Sequence, residues 1–168
     1  MHTIIRQRPR QNGFTLMEVL IALLVLSIGL LGLAALQTIG LRSNQMANMR
    51  TVATQQAYDM SDRMRANPSG LAAQDYVQAV TDTVTTPAVN CNNETCTPAQ
   101  MAAFDLAAWM TAVNRLPGGR GGIVRDASGT LVKHTIQVYW DEERTGATGT
   151  NCGPNHDVDL SCVQLILQ

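Results

Sequence analysis

Gly13-Phe14-Thr15-Leu16-Met17-Glu18, followed without a break by Val19-Leu20-Ile21-Ala22-Leu23-Leu24-Val25-Leu26-Ser27-Ile28-Gly29-Leu30-Leu31-Gly32-Leu33-Ala34-Ala35-Leu36-Gln37-Thr38-Ile39-Gly40-Leu41, is the stretch that decides the fold of this 168-residue chain. No charge occurs between Glu18 and Arg42. As an α-helix at about 1.5 Å per residue, Val19 to Leu41 spans roughly 34 Å, enough for a bilayer's hydrocarbon core. On the N-terminal side stand Arg6, Arg8 and Arg10, with no acid before Glu18. The positive-inside bias therefore predicts a cytoplasmic N-terminus and a head across the membrane. A cleaved secretory signal is the competing reading. Its apolar region runs to roughly 7–15 residues and ends in an A-x-A site, which Leu33-Ala34-Ala35-Leu36-Gln37 does not supply.

The averages conceal this placement. The formal net charge is −1, 45% of residues are hydrophobic, and Lys133 is the single lysine. Such a chain lacks the clustered basic face that nucleic acid demands, and it is too apolar for extended disorder. Glu18 is the residue that an ordinary anchor does not explain, because a carboxylate at the edge of an apolar run is costly. In a bundle of apolar helices it needs an opposite charge.

Gly13 to Leu36 resembles, position by position, the class 3 signal of the type IV pilins and pseudopilins: a short basic leader ending in Gly, then Phe, then Thr-Leu-x-Glu and an apolar helix. The resemblance implies that a dedicated prepilin peptidase cuts between Gly13 and Phe14 and methylates the new amine of Phe14. Glu18 then becomes the fifth residue of the mature chain and serves subunit recruitment. The free amine of Phe14 on a neighbouring subunit is the nearest plausible counter-charge. Removal of the leader also takes away Arg6, Arg8 and Arg10 and leaves the mature chain with a charge of about −4. Gly29 and Gly32 are open to two readings, ordinary membrane-helix composition or close helix packing.

Helical spacing continues beyond Leu41. Met46, Met49, Ala53, Ala57, Met60 and Met64 recur at steps of three or four, a core stripe better suited to packing than to copper. One helix is predicted from about Phe14 to Asn67, where Asn67-Pro68-Ser69-Gly70 ends it. The expected organisation is a cleaved leader (1–13), a transmembrane or filament-core helix (14–41), its amphipathic continuation (42–67) and a disulfide-containing α+β head (68–168). Leu71 to Asn90 reads as a connector. Thr97-Pro98-Ala99-Gln100 matches a capping box, predicting a helix from Pro98 to about Arg115 that buries Phe104, Ala108, Trp109, Ala112 and Leu116. Ile123 to Arg125, a turn at Asp126-Ala127-Ser128-Gly129, and Thr130 to Trp140 read as a hairpin, with Thr130, Val132, His134, Ile136, Val138 and Trp140 on one face. Val163 to Leu167 adds a third strand. The fold class is thus α+β, a pilin-like long helix against a small antiparallel sheet with a second helix.

Phe104 to Trp109, Leu116-Pro117-Gly118-Gly119 and Val138-Tyr139-Trp140-Asp141 resemble one branch of the family, the minor pilins called pilus modification proteins, of the PilV type. That resemblance implies a place in the complex that primes pilus assembly, with other minor pilins, the major pilin and a tip adhesin as partners, and later residence in the pilus at the cell surface. A minor pseudopilin of a type II secretion system shares the leader and helix. A single-pass anchored binding module or enzyme leaves Gly13, Phe14 and Glu18 unexplained.

Cys91, Cys96, Cys152 and Cys162 fall beyond the membrane, in an oxidising compartment, so two disulfides are expected. Four cysteines allow three connectivities; local pairing is preferred, since each bridge then staples a Gly- or Asn-rich loop. Zinc competes poorly, because the second pair is too wide for a C-x2-4-C arrangement. Asn155-His156-Asp157-Val158-Asp159 alternates oxygen ligands but lacks the calcium-loop glycine and distal glutamate. His134 reads as a packed strand residue, and Asp141-Glu142-Glu143 as a solvated turn. Gly118-Gly119-Arg120-Gly121-Gly122 is not followed by the Lys-Ser/Thr of a phosphate loop. No metal, cofactor or catalytic constellation is assigned.

Overall fold

A computed structural model describes residues 13–168. The leader arginines Arg6, Arg8 and Arg10 lie outside the described residues. Two compact units meet between Ser43 and Asn44. Helix α1, Leu16–Ala66, contributes residues to both.

The first unit is helix alone. Thr15 starts it: its Oγ1 accepts the Glu18 N–H at 3.2 Å, and its carbonyl accepts from Glu18 and Val19 at 3.1 and 3.3 Å. That is the N-cap half of a capping box, and the acid in the first turn complements the helix dipole. Ser27 and Thr38 donate their hydroxyls back to the carbonyls of Leu23 and Ala34, at 2.7 and 3.1 Å. The helix therefore carries its few hydroxyls through the apolar run without calling on water.

The second unit has a helical wall and a sheet. Its elements are the end of α1, a one-turn helix α2 at Pro68–Ala72, β1 at Gln78–Thr81, α3 at Pro98–Val113, β2 at Arg120–Asp126, β3 at Lys133–Trp140 and β4 at Ser161–Leu167. The sheet is antiparallel throughout, in the order β1-β2-β3-β4. The expected three strands are corrected to four. β1 lies in the segment read as a connector, because four residues, Gln-Ala-Val-Thr, are too few to display a periodicity.

Ala53, Ala57, Met60 and Met64 are buried, so the later part of the expected stripe is core; Met49 is half-buried against it, and Met46 is half-buried outside it. They share one cluster with Trp109, Met110 and Val113 of α3, Ile123 of β2, and Ile136, Val138 and Trp140 of β3. Full burial of each large side chain stabilises by about 1.5–3 kcal/mol. Trp109 also donates its indole N–H to the Gln56 carbonyl at 2.9 Å, fixing α3 against α1. The buried face of α3 runs through Ala102, Asp105, Trp109 and Val113; Phe104, Ala108 and Ala112, expected inside, are only half-buried. The correction turns on Asp105. A carboxylate reads as solvent-facing, yet here it is buried because its partners are inside.

Gly118 takes a φ of +57°, a left-handed turn position, and a Cβ on Gly119 would collide with the carbonyls of Val113 and Leu116. The Gly118 to Gly122 run is thus a tight turn entering a strand. The hairpin strand begins at Lys133 and not at Thr130, since Asp126 Oδ1 accepts from both the N–H and the hydroxyl of Ser128, at 2.9 and 2.7 Å, and widens the loop. A second small cluster, Tyr139, Ala147 and Leu160 with Val80, Cys152 and Cys162, covers the other face of the sheet.

Candidate functional site

In the first unit, Gly13 and Phe14 precede the helix, and the Phe14 ring is 85% exposed. Phe14, Glu18 and Ala22 follow at steps of four, with Val19, Leu23 and Leu26 beside them, and together they line a shallow hollow on one side of α1. Glu18 is the single ionisable group in it. The backbone N–H of Glu18 is satisfied by Thr15, but among the described residues its carboxylate has no partner. Leu16, Leu20, Leu24, Ile28, Leu31 and Ile39 are each more than half exposed. Such an all-round apolar cylinder is unstable in water and must be covered by lipid or by other helices. Gly29 and Gly32 have no neighbour within 4 Å, leaving two notches where another backbone can approach.

In the second unit, Cys91 is joined to Cys96 and Cys152 to Cys162, with Cα separations of 5.6 and 5.5 Å. Each bridge closes a loop that has little core of its own. In the second loop, Asp159 accepts from the backbone and side-chain amides of Asn151 at 3.4 and 3.2 Å. That carboxylate ties the loop together. Among the described residues, no three His, Cys, Asp or Glu side chains gather as a metal site.

Two polar networks have no local sequence signature. Asp105 accepts from Arg63 at 3.0 Å and from the Tyr76 hydroxyl at 2.7 Å; Asn67 donates to the Tyr76 oxygen at 3.1 Å and to the Pro98 carbonyl at 2.8 Å. Burial and the adjacent Asp105 push the Tyr76 phenol well above its ordinary range, so it stays a neutral donor. For Arg63, burial opposes the charge, but hydrogen bonds to Asp59 and Asp105 outweigh it and raise the pKa. The network pins α2 and the start of α3 to the end of α1.

The second network corrects the reading of Asp141-Glu142-Glu143 as a solvated turn. Asp141 is buried and accepts from the N–H groups of Thr145 and Gly146, at 3.1 and 2.8 Å. Glu142 pairs with Arg50 at 3.2 Å and accepts the Ser161 hydroxyl at 2.8 Å. His156 Nδ1 lies 3.5 Å from the same hydroxyl. A hydrolytic triad needs the imidazole between carboxylate and hydroxyl. Here the serine donates directly to the carboxylate, and the group is a structural clamp. Its partners are too distant in sequence for any motif to announce them.

A long helix opened by Thr-Leu-Met-Glu, apolar and exposed through its first half and packed against an antiparallel sheet through its second, is the arrangement of a type IV pilin-like fold. Residues 35–107 match the family described as type IV pilin Tt1218, and residues 8–34 match the prokaryotic N-terminal methylation motif. The motif implies processing by a prepilin peptidase in a pilus-assembly context, and the family implies a structural protein rather than an enzyme. No curated protein and no solved structure matches the chain significantly.

Proposed function

We propose that the chain is a minor pilin of a type IV pilus, cut between Gly13 and Phe14, methylated on the Phe14 amine, and recruited through Glu18 into a priming or tip complex. The observation that carries this reading is the lone Glu18 carboxylate at the head of an exposed apolar helix. At about 4 Å and an effective dielectric of about 20, pairing with a neighbour's Phe14 amine gains roughly 4 kcal/mol before desolvation is subtracted. Much of that gain offsets the cost of burial, so the pair selects register and partner more than it adds stability. Before assembly the chain is held in the inner membrane, N-terminus in the cytoplasm and disulfide-bonded head in the periplasm. Its partners are the prepilin peptidase, other minor pilins, the major pilin and a tip adhesin. The PilV-like segments at Phe104 to Trp109 and Val138 to Asp141 favour this branch.

Glu18→Ala is expected to be processed normally yet to fail to enter filaments. Normal incorporation of that variant refutes the recruitment role. Deletion of the gene is expected to reduce surface piliation and twitching while protein export continues. Intact pili with blocked export would instead make the protein a minor pseudopilin of a type II secretion system.

A further inference from the structure

Near one end of the sheet, Arg125 of β2, His134 of β3 and Leu167 of β4 stand directly opposite one another. Directly opposed residues share a face. The row lies on the core face, since Leu167 belongs to the main cluster and Arg125 follows the buried Ile123 by two positions. With Leu71 of α2, Val132 and the exposed Gln168, the row lines a hollow of about 290 Å³. Its chemistry is unbalanced. Among the described residues, the Arg125 guanidinium has no ion pair or hydrogen bond, whereas Arg50 and Arg63 are each met by a carboxylate. His134 is 6% exposed, and its Nε2 is buried without a hydrogen-bond partner. Asp105, Asp141 and Glu142, the other polar groups turned into this unit, all have theirs. No Asp or Glu side chain lines the hollow. Burial first, and Arg125 second, lower the His134 pKa, so at neutral pH the imidazole is uncharged and carries one N–H.

We propose that this hollow binds a small monocarboxylate with an apolar body, its carboxylate paired with the Arg125 guanidinium and accepting the imidazole N–H of His134. The planar guanidinium fork matches a carboxylate. Leu71, Val132 and Leu167 supply the apolar wall against which the body of the ligand rests. One positive charge beside a neutral ring balances one negative charge, so a doubly charged phosphate is a poorer match. A neutral ligand would leave the guanidinium desolvated and unpaired, which is costly. At about 290 Å³ the hollow sits at the small end of ligand sites, and an occupant of one ring or one short aliphatic chain fits it.

The test titrates the full chain in detergent micelles with 4-fluorobenzoate, read by fluorine NMR against empty micelles and by the carbon-bound proton signal of the His134 ring. Saturable binding is expected, with a Kd on the order of 1 mM, the scale of one charge-assisted pair and a small apolar contact. The uncharged isostere 4-fluorobenzamide is expected to bind about tenfold more weakly, as is 4-fluorobenzoate to Arg125→Gln. Arg125→Lys should recover part of the loss, because the charge returns without the fork. Emission from the buried Trp109 and Trp140 reports whether each variant is folded. The comparison of carboxylate with amide uses wild type alone, so it stands whatever the variants do. Binding that does not saturate, an amide that binds as tightly as the carboxylate, a His134 signal that does not move, or inorganic phosphate that displaces the probe as well as unlabelled benzoate does would each overturn the proposal. So would a folded Arg125→Gln variant that binds as wild type does.

Discussion

Asp105→Ala removes the acceptor that joins Arg63 to Tyr76. Asp105 is 7% exposed and accepts two hydrogen bonds, at 3.0 and 2.7 Å. A bond to a charged group contributes roughly 1.5–3 kcal/mol, and a buried hydroxyl left without its acceptor costs about 1–3 kcal/mol. The Arg63 side chain is 34% exposed and keeps its 2.9 Å bond to Asp59, so water and Asp59 recover most of its share. A net loss of about 2–3 kcal/mol is expected. Asp105→Asn keeps an acceptor for Tyr76 and should lose about half of that, while Asp59→Ala, a solvent-screened pair, should cost less than about 1 kcal/mol. Urea unfolding of the full chain in detergent, followed by tryptophan emission, measures this directly, since Trp109 and Trp140 are both buried. An Asp105→Ala variant within about 0.5 kcal/mol of wild type, or an Asp59→Ala variant equally damaged, would refute the reasoning.

Three further expectations follow from the same unit. His134 is buried beside Arg125, and burial first, then that charge, lowers its pKa below the ordinary 6.5. The folded state therefore binds the proton less readily than the unfolded chain. Stability should be full above about pH 6.5 and fall as the pH drops below it. His134→Leu should flatten that slope in urea titrations at pH 7 and pH 5; an unchanged slope contradicts the assignment. A Cβ on Gly121 would meet Trp109 Cη2 at 2.6 Å and Met110 Sδ at 2.8 Å, so Gly121→Ala should destabilise by about 1–3 kcal/mol in the same assay, and a neutral result would show that the Trp109 ring is free to move. Removing the ten-residue bridge with Cys152→Ser and Cys162→Ser together should cost roughly 2–3 kcal/mol, and non-reducing mass spectrometry of wild type should find no free thiol.

What the sequence made legible was what is local. Thr97 and Gln100 cap α3 reciprocally, at 3.3 and 2.9 Å, as their spacing requires. The stripe from Ala53 to Met64 faces the core because a helical period of 3.6 leaves it no other face. The hairpin's inward set, His134, Ile136, Val138 and Trp140, is buried as its alternation predicts. Distant pairings left no trace. Arg50 meets Glu142 across 92 residues, and Arg63 meets Asp105 across 42, so charges that read as solvated became clamps. Tyr139 alternates onto the polar face of β3, yet Ala147 and Leu160 cover it from a loop with no period to read. For Glu18 the case is reversed: a local motif announced the residue, and the helix then gave it a purely apolar setting with no partner.

On the proposed reading the chain is a prepilin whose mature form starts at Phe14, with Glu18 as its recruiting carboxylate. Tandem mass spectrometry of the N-terminal peptide, from protein recovered out of sheared pili or membranes, tests it most directly. A chain that begins with N-methylated Phe14 is expected. A chain that retains Met1, or is cut after Ala34 or Ala35, would contradict it.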